Sequence, residues 1–96
     1  MPWYAIVLIA MKNEGEISLP DIYVNVEEVF VAGGVVFFKP WLLEPDPKRR
    51  NRPRYQHSVQ ATAGQLVEKG LAERPARGYY RITSQGQDWL KDYEGS

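Results

Sequence analysis

Apolar residues run unbroken from Trp3 to Met11 and stop at Lys12-Asn13-Glu14-Gly15. Pro2 stands where the first turn of a helix tolerates proline, because the N–H it lacks would have no intrahelical partner there. The pattern predicts a helix buried nearly all round. The β-branched Ile6, Val7 and Ile9 also suit a buried strand, and periodicity alone does not separate the two. Glu16-Ile17-Ser18 reads as a short extended piece. Ser18-Leu19-Pro20-Asp21 then supplies an N-cap hydroxyl, a first-turn proline and an acid at the capping-box position. A second helix is expected there, with Ile22, Val26, Val29 and Phe30 at helical spacing until Ala32-Gly33-Gly34 breaks the pattern.

Residues 35–44 are apolar, rich in β-formers and interrupted by Pro40, so the pattern assigns them no element. Pro45-Asp46-Pro47 and the basic run after it are expected to be loop, since proline and like-charge repulsion both oppose regular structure. Pro53 sits where helices begin, and Tyr55, Val59, Thr62, Ala63, Leu66 and Val67 trace one face of a third helix that Lys69-Gly70 ends. Its opposite face shows His57, Gln60, Ala61 and Gly64, with Gln56 on the flank. Residues 71–75 and 79–82 are strand candidates joined through Ala76-Arg77-Gly78, a hairpin with a basic tip. If Tyr80 and Ile82 point inward, alternation puts Tyr79 and Arg81 outside. Thr83 or Ser84 caps a last helix carrying Trp89, Leu90 and Tyr93, with Ser84 to Gln87 as a candidate capping box.

Composition narrows the class. Ninety-six residues, 44% hydrophobic and 12% aromatic, suit one domain over residues 1–96 with a modest core. The chain has no cysteine and a single histidine, His57, so neither a thiolate nor a histidine-built zinc site is expected, and no cofactor is. The apolar stretch from Trp3 is well short of the ~20 residues of a membrane span, and no basic residue precedes it as in a signal peptide. A cytoplasmic protein is expected.

Formal net charge is zero, but the charges are segregated. Residues 48–81 hold nine basic residues (Lys48, Arg49, Arg50, Arg52, Arg54, Lys69, Arg74, Arg77 and Arg81) against two acids, Glu68 and Glu73. Three lysines and ten acids lie elsewhere, so a window of charge +7 is balanced by a remainder of −7. Such a window gives one part of a fold a strong positive field while the whole stays neutral.

Lys48, Arg49, Arg50, Arg52 and Arg54, with Asn51 among them, crowd the start of the third helix, where backbone N–H groups also favour anions. Phosphates are their natural partner, and the alternative is a solvated loop. The exposed face of the helix is polar and small-residued, as a helix lying against base edges requires. Gln56 and Gln60 offer the donor–acceptor pair that matches adenine, and His57 is a weaker candidate. The alternative for all three is ordinary helix surface. Arg77, Tyr79 and Arg81 are the hairpin's candidates for the same partner. Trp3, Trp41 and Trp89 are expected in the core, with Trp41 the one placed to project toward a ligand. Pro20-Asp21 and Asp46-Pro47-Lys48 echo a nuclease signature only superficially, because Pro47 denies the ladder bond that such a site's strand needs. Ser58 beside His57 makes no triad, since adjacent helix residues do not face one another. No catalytic residue is expected.

Helix, helix, long loop, helix, hairpin, helix is the order of a winged helix-turn-helix, an α+β fold of three to four helices with a C-terminal β-hairpin wing. The stretch RYQHSVQATAGQLVEKGLAERPARGYYRITSQGQDWL resembles the N-terminal domain of the Mrr family of restriction-system proteins. The shared features are Arg54 opening the recognition helix, Lys69-Gly70-Leu71 ending it, Arg77-Gly78 at the wing turn, Tyr80-Arg81-Ile82-Thr83, and Gly86 before an amphipathic last helix. The first half matches only in element order and in its Gly-Glu-Ile-Ser-Leu turn. A similar winged helix, with a comparable basic loop before its recognition helix, follows the nuclease domain of methyl-directed restriction enzymes. The resemblance implies a double-stranded-DNA-targeting module of a modification-dependent restriction endonuclease, reading N6-methyladenine. Trp41, if its place after Pro40 turns it outward and not into the core, is the candidate contact to the methylated base. The nuclease domain would lie in the same or a partner chain, this domain being a piece of a larger protein. The rivals are a winged-helix transcription regulator, usually dimeric on a palindromic site, and a protein-interaction module using the apolar residues 35–43. Oligomeric state stays open.

Overall fold

A computed structural model of the chain describes residues 2–32 and 40–95. Helix α1 (Trp3–Met11) is its centre: Ala5, Ile6, Val7, Leu8, Ala10 and Met11 are all buried. It packs against α2 (Leu19–Ala32), α3 (Arg54–Glu68), α4 (Ser84–Glu94) and strand β5 (Tyr79–Ile82). A segment enclosed in this way has no free strand edge beside it to satisfy its amides, β5 being paired on both sides, whereas a helix satisfies them internally. That need outweighs the β-branched composition, and the Ile6 N–H donates to the Pro2 carbonyl at 3.1 Å to start the turn.

Ser18 caps α2 as its sequence predicts, its hydroxyl accepting from the Asp21 N–H at 3.3 Å. Ile22 and Val26 are fully buried, and the Asn25 side chain donates to the Ala10 carbonyl at 3.0 Å, fastening α2 to the end of α1. Strand β1 (Ile17–Ser18) joins an antiparallel sheet of order β1-β5-β4, where β4 is Ala72–Ala76. Ile17 pairs with Tyr80 and Ala72 with Ile82, so the inward residues of the hairpin close over the helical core. Tyr79 and Arg81 are exposed and Tyr80 and Ile82 buried, the alternation expected. The described residues thus form an α+β fold of four helices and a small antiparallel sheet. None of these helices is long and apolar enough to cross a membrane.

One boundary differs from expectation, and at another the choice between two expected caps is settled. Leu71 is not strand: its N–H donates to the Leu66 carbonyl at 2.9 Å while Gly70, at φ +75°, donates to Val67, the paired bonds that close a helix through a left-handed residue. The last helix is capped by Thr83 rather than through a Ser84–Gln87 box, the Thr83 hydroxyl accepting from the Gly86 N–H at 3.0 Å. That hydroxyl also donates to the Gly70 carbonyl at 2.7 Å. Thr83, Gly70, Leu71 and Gly86 therefore form one junction between the end of α3 and the start of α4. A Cβ on Gly86 would lie 2.0 Å from the Leu71 carbonyl oxygen, so only glycine fits.

The second difference is larger. Residues 45–53, expected to be irregular, form a tight two-stranded antiparallel ladder: β2 (Pro45–Asp46) pairs with β3 (Arg52–Pro53), with Asp46 opposite Arg52. A 3₁₀ turn (Pro47–Arg49) and two left-handed residues, Arg50 at φ 57° and Asn51 at φ 60°, close it. Proline does not prevent this because a two-residue ladder needs few donors. Like-charge repulsion does not prevent it because Asp46 sits inside the turn.

Candidate nucleic-acid interface

Asp46 organises the basic run. It is only 6% exposed, and its carboxylate accepts from the Lys48 N–H at 3.1 Å and from Arg49 Nη1 at 2.6 Å. Its own carbonyl accepts from the Asn51 N–H at 2.9 Å. The Arg49 bond holds the Asp46 carboxyl below the usual aspartate range, burial opposes this, and the Lys48 amide adds to it. An acid flanked by prolines is a turn former by its side-chain bond to the backbone two residues on. The charge count left this acid outside the basic window.

The turn aims its cations at α3. Arg54, the first residue of that helix, has its N–H satisfied by the Glu44 carbonyl at 3.0 Å, which seats the helix against the ladder. Pro53, the N-cap of α3, offers that helix no side-chain cap. Between them lies a concavity of about 340 Å³, walled by Lys48, Arg49, Arg50 and Arg52 from the turn, by Pro53, and by Gln56, His57 and Gln60 from α3. Arg49 Nη2 lies 3.4 Å from His57 Nε2, so the Asp46–Arg49 pair reaches across to the helix. The buried stripe of α3 is Tyr55, Val59, Thr62, Ala63 and Leu66, leaving His57, Gln60, Ala61 and Gly64 exposed, as the sequence predicts.

Tyr23, which the sequence reading passed over, is the remaining wall of the concavity. It lies one position off the buried Ile22–Val26 stripe of α2, is half-buried, and meets the Tyr55 ring edge-on at 6.3 Å and 88°. Burial raises its hydroxyl pKa, the Arg52 guanidinium opposes this, and Tyr80 adds to the rise. Tyr55 below it is pushed up to about 12, chiefly by burial.

Not every expected residue joins this cluster. Asn51 is exposed at the left-handed turn, and Arg54 is half-buried, and neither lines the concavity. Arg77 and Tyr79 are exposed on the hairpin, away from the concavity. Arg81, expected to face a ligand as a free cation, is instead tied to Glu73 on the neighbouring strand, Nε to Oε1 at 2.6 Å. Opposite charges facing one another across an antiparallel ladder make that pairing the ordinary outcome. Arg74 lies 5.5 Å over the Tyr80 ring. Residues 35–39 and the side chain of Trp41 lie outside the described residues. Among the described residues, no group of three or more His, Asp or Glu side chains is placed to hold a metal.

Comparison of the chain with protein-family models, curated proteins and solved structures found no match.

Proposed function

We propose that this chain is a winged-helix module that binds double-stranded DNA. In this reading α3 enters the major groove, the turn between β2 and β3 grips phosphates beside it, and the β4–β5 hairpin serves as the wing. One observation carries it: Lys48, Arg49, Arg50 and Arg52 are gathered round the half-buried Gln56 and the exposed His57 and Gln60 of a single helix. Cations that neutralise phosphates supply affinity, and amides that face base edges supply selectivity. A Gln side chain presents one donor and one acceptor in the geometry of the adenine edge, which supports an adenine-containing target and, with the resemblance, N6-methyladenine. Cleavage would belong to a nuclease domain in the same or a partner chain, with this module a cytoplasmic targeting unit that has no catalytic residue of its own.

Fluorescence anisotropy at low salt tests the proposal on matched duplexes carrying no methyl group, N6-methyladenine or 5-methylcytosine. Submicromolar binding to duplex, tightest with N6-methyladenine, is the expected result. Binding without discrimination would retain the DNA module and remove its methyl reading, and no binding to any duplex would remove both. Light scattering of the complex separates one module per site from the symmetric dimer of an ordinary regulator.

A further inference from the structure

A helix that reads base edges presents a convex face, yet this one borders a hollow. The concavity of about 340 Å³ falls in the size range of small-ligand clefts, roughly 300–1,000 Å³. One wall is an aromatic ring from a different helix, Tyr23 of α2, and another is the Pro53 ring. Groove reading by α3 uses neither. The chemistry of the wall is divided: Lys48, Arg50 and Arg52 are exposed cations with no ion pair among the described residues, while Gln56 and Gln60 present amides. An anionic group, a flat π-face and a hydrogen-bonding edge would each find a counterpart here, and a nucleotide carries all three.

We infer that the hollow between Tyr23, the basic turn and the first turns of α3 holds one unstacked nucleotide of the bound DNA. Its base lies against Tyr23 and Pro53, its edge meets the Gln56 and Gln60 amides, and its phosphate meets Arg50 and Arg52. This rests on the duplex-binding reading of the same face and adds to it a local opening of the duplex. Aromatic stacking on a base is worth about 1–3 kcal/mol and is tolerant of base identity, so Tyr23 supplies affinity and the amides supply choice. Extruding a paired base costs a few kcal/mol, least where the base is already unpaired.

That cost defines the test. Labelled duplexes, one fully matched and one with a single extra unpaired adenosine, are titrated with the full chain beside a single-stranded oligonucleotide of the same sequence. The expected result is at least about tenfold tighter binding to the bulged duplex, since the unpairing cost is then absent. Tyr23→Leu, which keeps apolar bulk and removes the π-face, brings the ratio toward one; Tyr23→Phe preserves it. Equal binding of both duplexes by the unsubstituted chain overturns the inference and leaves duplex binding intact. A preference for the bulge that survives in folded Tyr23→Leu protein overturns it too, because the preference then comes from flexible DNA and not from this pocket. Failure on both duplexes with Tyr23-dependent binding of the single strand would sink the duplex reading and keep the nucleotide pocket. Failure on all three sinks both.

Discussion

Asp46 and Arg49 meet at 2.6 Å in the middle of the most basic stretch of the chain, the carboxylate buried and the guanidinium half-exposed. The acid subtracts charge from a surface read as a phosphate grip. It also accepts the Lys48 N–H and thereby sets the turn that holds Lys48, Arg50 and Arg52 round the concavity. The two roles predict opposite effects of removing it.

Asp46→Ala makes the local charge more positive by one, which by simple attraction would tighten DNA binding. The reverse is expected, a severalfold weaker affinity for duplex, because the freed turn no longer presents its cations together. Anisotropy titration of both proteins at one salt concentration decides between them. The same pair has a pH signature. A carboxyl whose pKa is depressed in the fold contributes stability that is present above its unfolded value and lost as pH falls through the folded one. The difference in Tm between the unsubstituted chain and Asp46→Ala should therefore hold steady near neutrality and shrink below about pH 4.

Gly86 tests the fold without touching the interface. Its Cβ position is occupied by the Leu71 carbonyl, so Gly86→Ala forces apart the junction that Thr83 and Gly70 close. A loss of about 3 kcal/mol or more is expected. For a domain of this size, that lowers Tm by roughly 12 °C or more. Gly64→Ala is the control: nothing lies within 4 Å of its Cβ position, and alanine in an exposed helix is favoured by up to about 1 kcal/mol. Thermal denaturation showing the two substitutions equivalent would contradict the packing described here.

Arg52 and Gln60 line the same hollow but should fail differently. Arg52→Ala removes a charge–phosphate contact and weakens methylated and unmethylated duplexes alike, lowering the salt slope by about one. Gln60→Ala should change the ratio between duplexes, a base contact being worth about 1–3 kcal/mol of discrimination. Parallel titrations of both variants on the same duplex set provide the check, and equal losses across duplexes for Gln60→Ala would end its assigned role.

Local signals made most of the architecture legible. The Ser18 cap, the Gly70 stop, the face of α3 and the inside-outside alternation of Tyr79 to Ile82 are each set by a handful of neighbouring residues, and each is where the sequence put it. The signature residues Gly70, Leu71, Thr83 and Gly86 turn out to build a packing junction, which is why they speak for fold more than for binding. The misjudged parts depend on longer reach. The basic turn looked irregular because a count of like charges ignores one well-placed acid, and Arg81 looked free because its partner Glu73 lies on the other strand. Tyr23 was missed because its place in the interface is created by α3, 31 or more residues further along, packing beside it.

The most direct measurement is the salt dependence of duplex affinity. Lys48, Arg50, Arg52, Arg54 and Arg77 have no ion pair among the described residues, whereas Arg49 and Arg81 do. If those five cations each meet a phosphate, log K against log salt concentration falls with a slope near −4.5, about −0.9 per contact. A slope in that range, reduced by about one when Arg52 is replaced by alanine, is the predicted result. A flat response would contradict the claim that the cations of the basic turn, the start of α3 and the hairpin meet the DNA backbone.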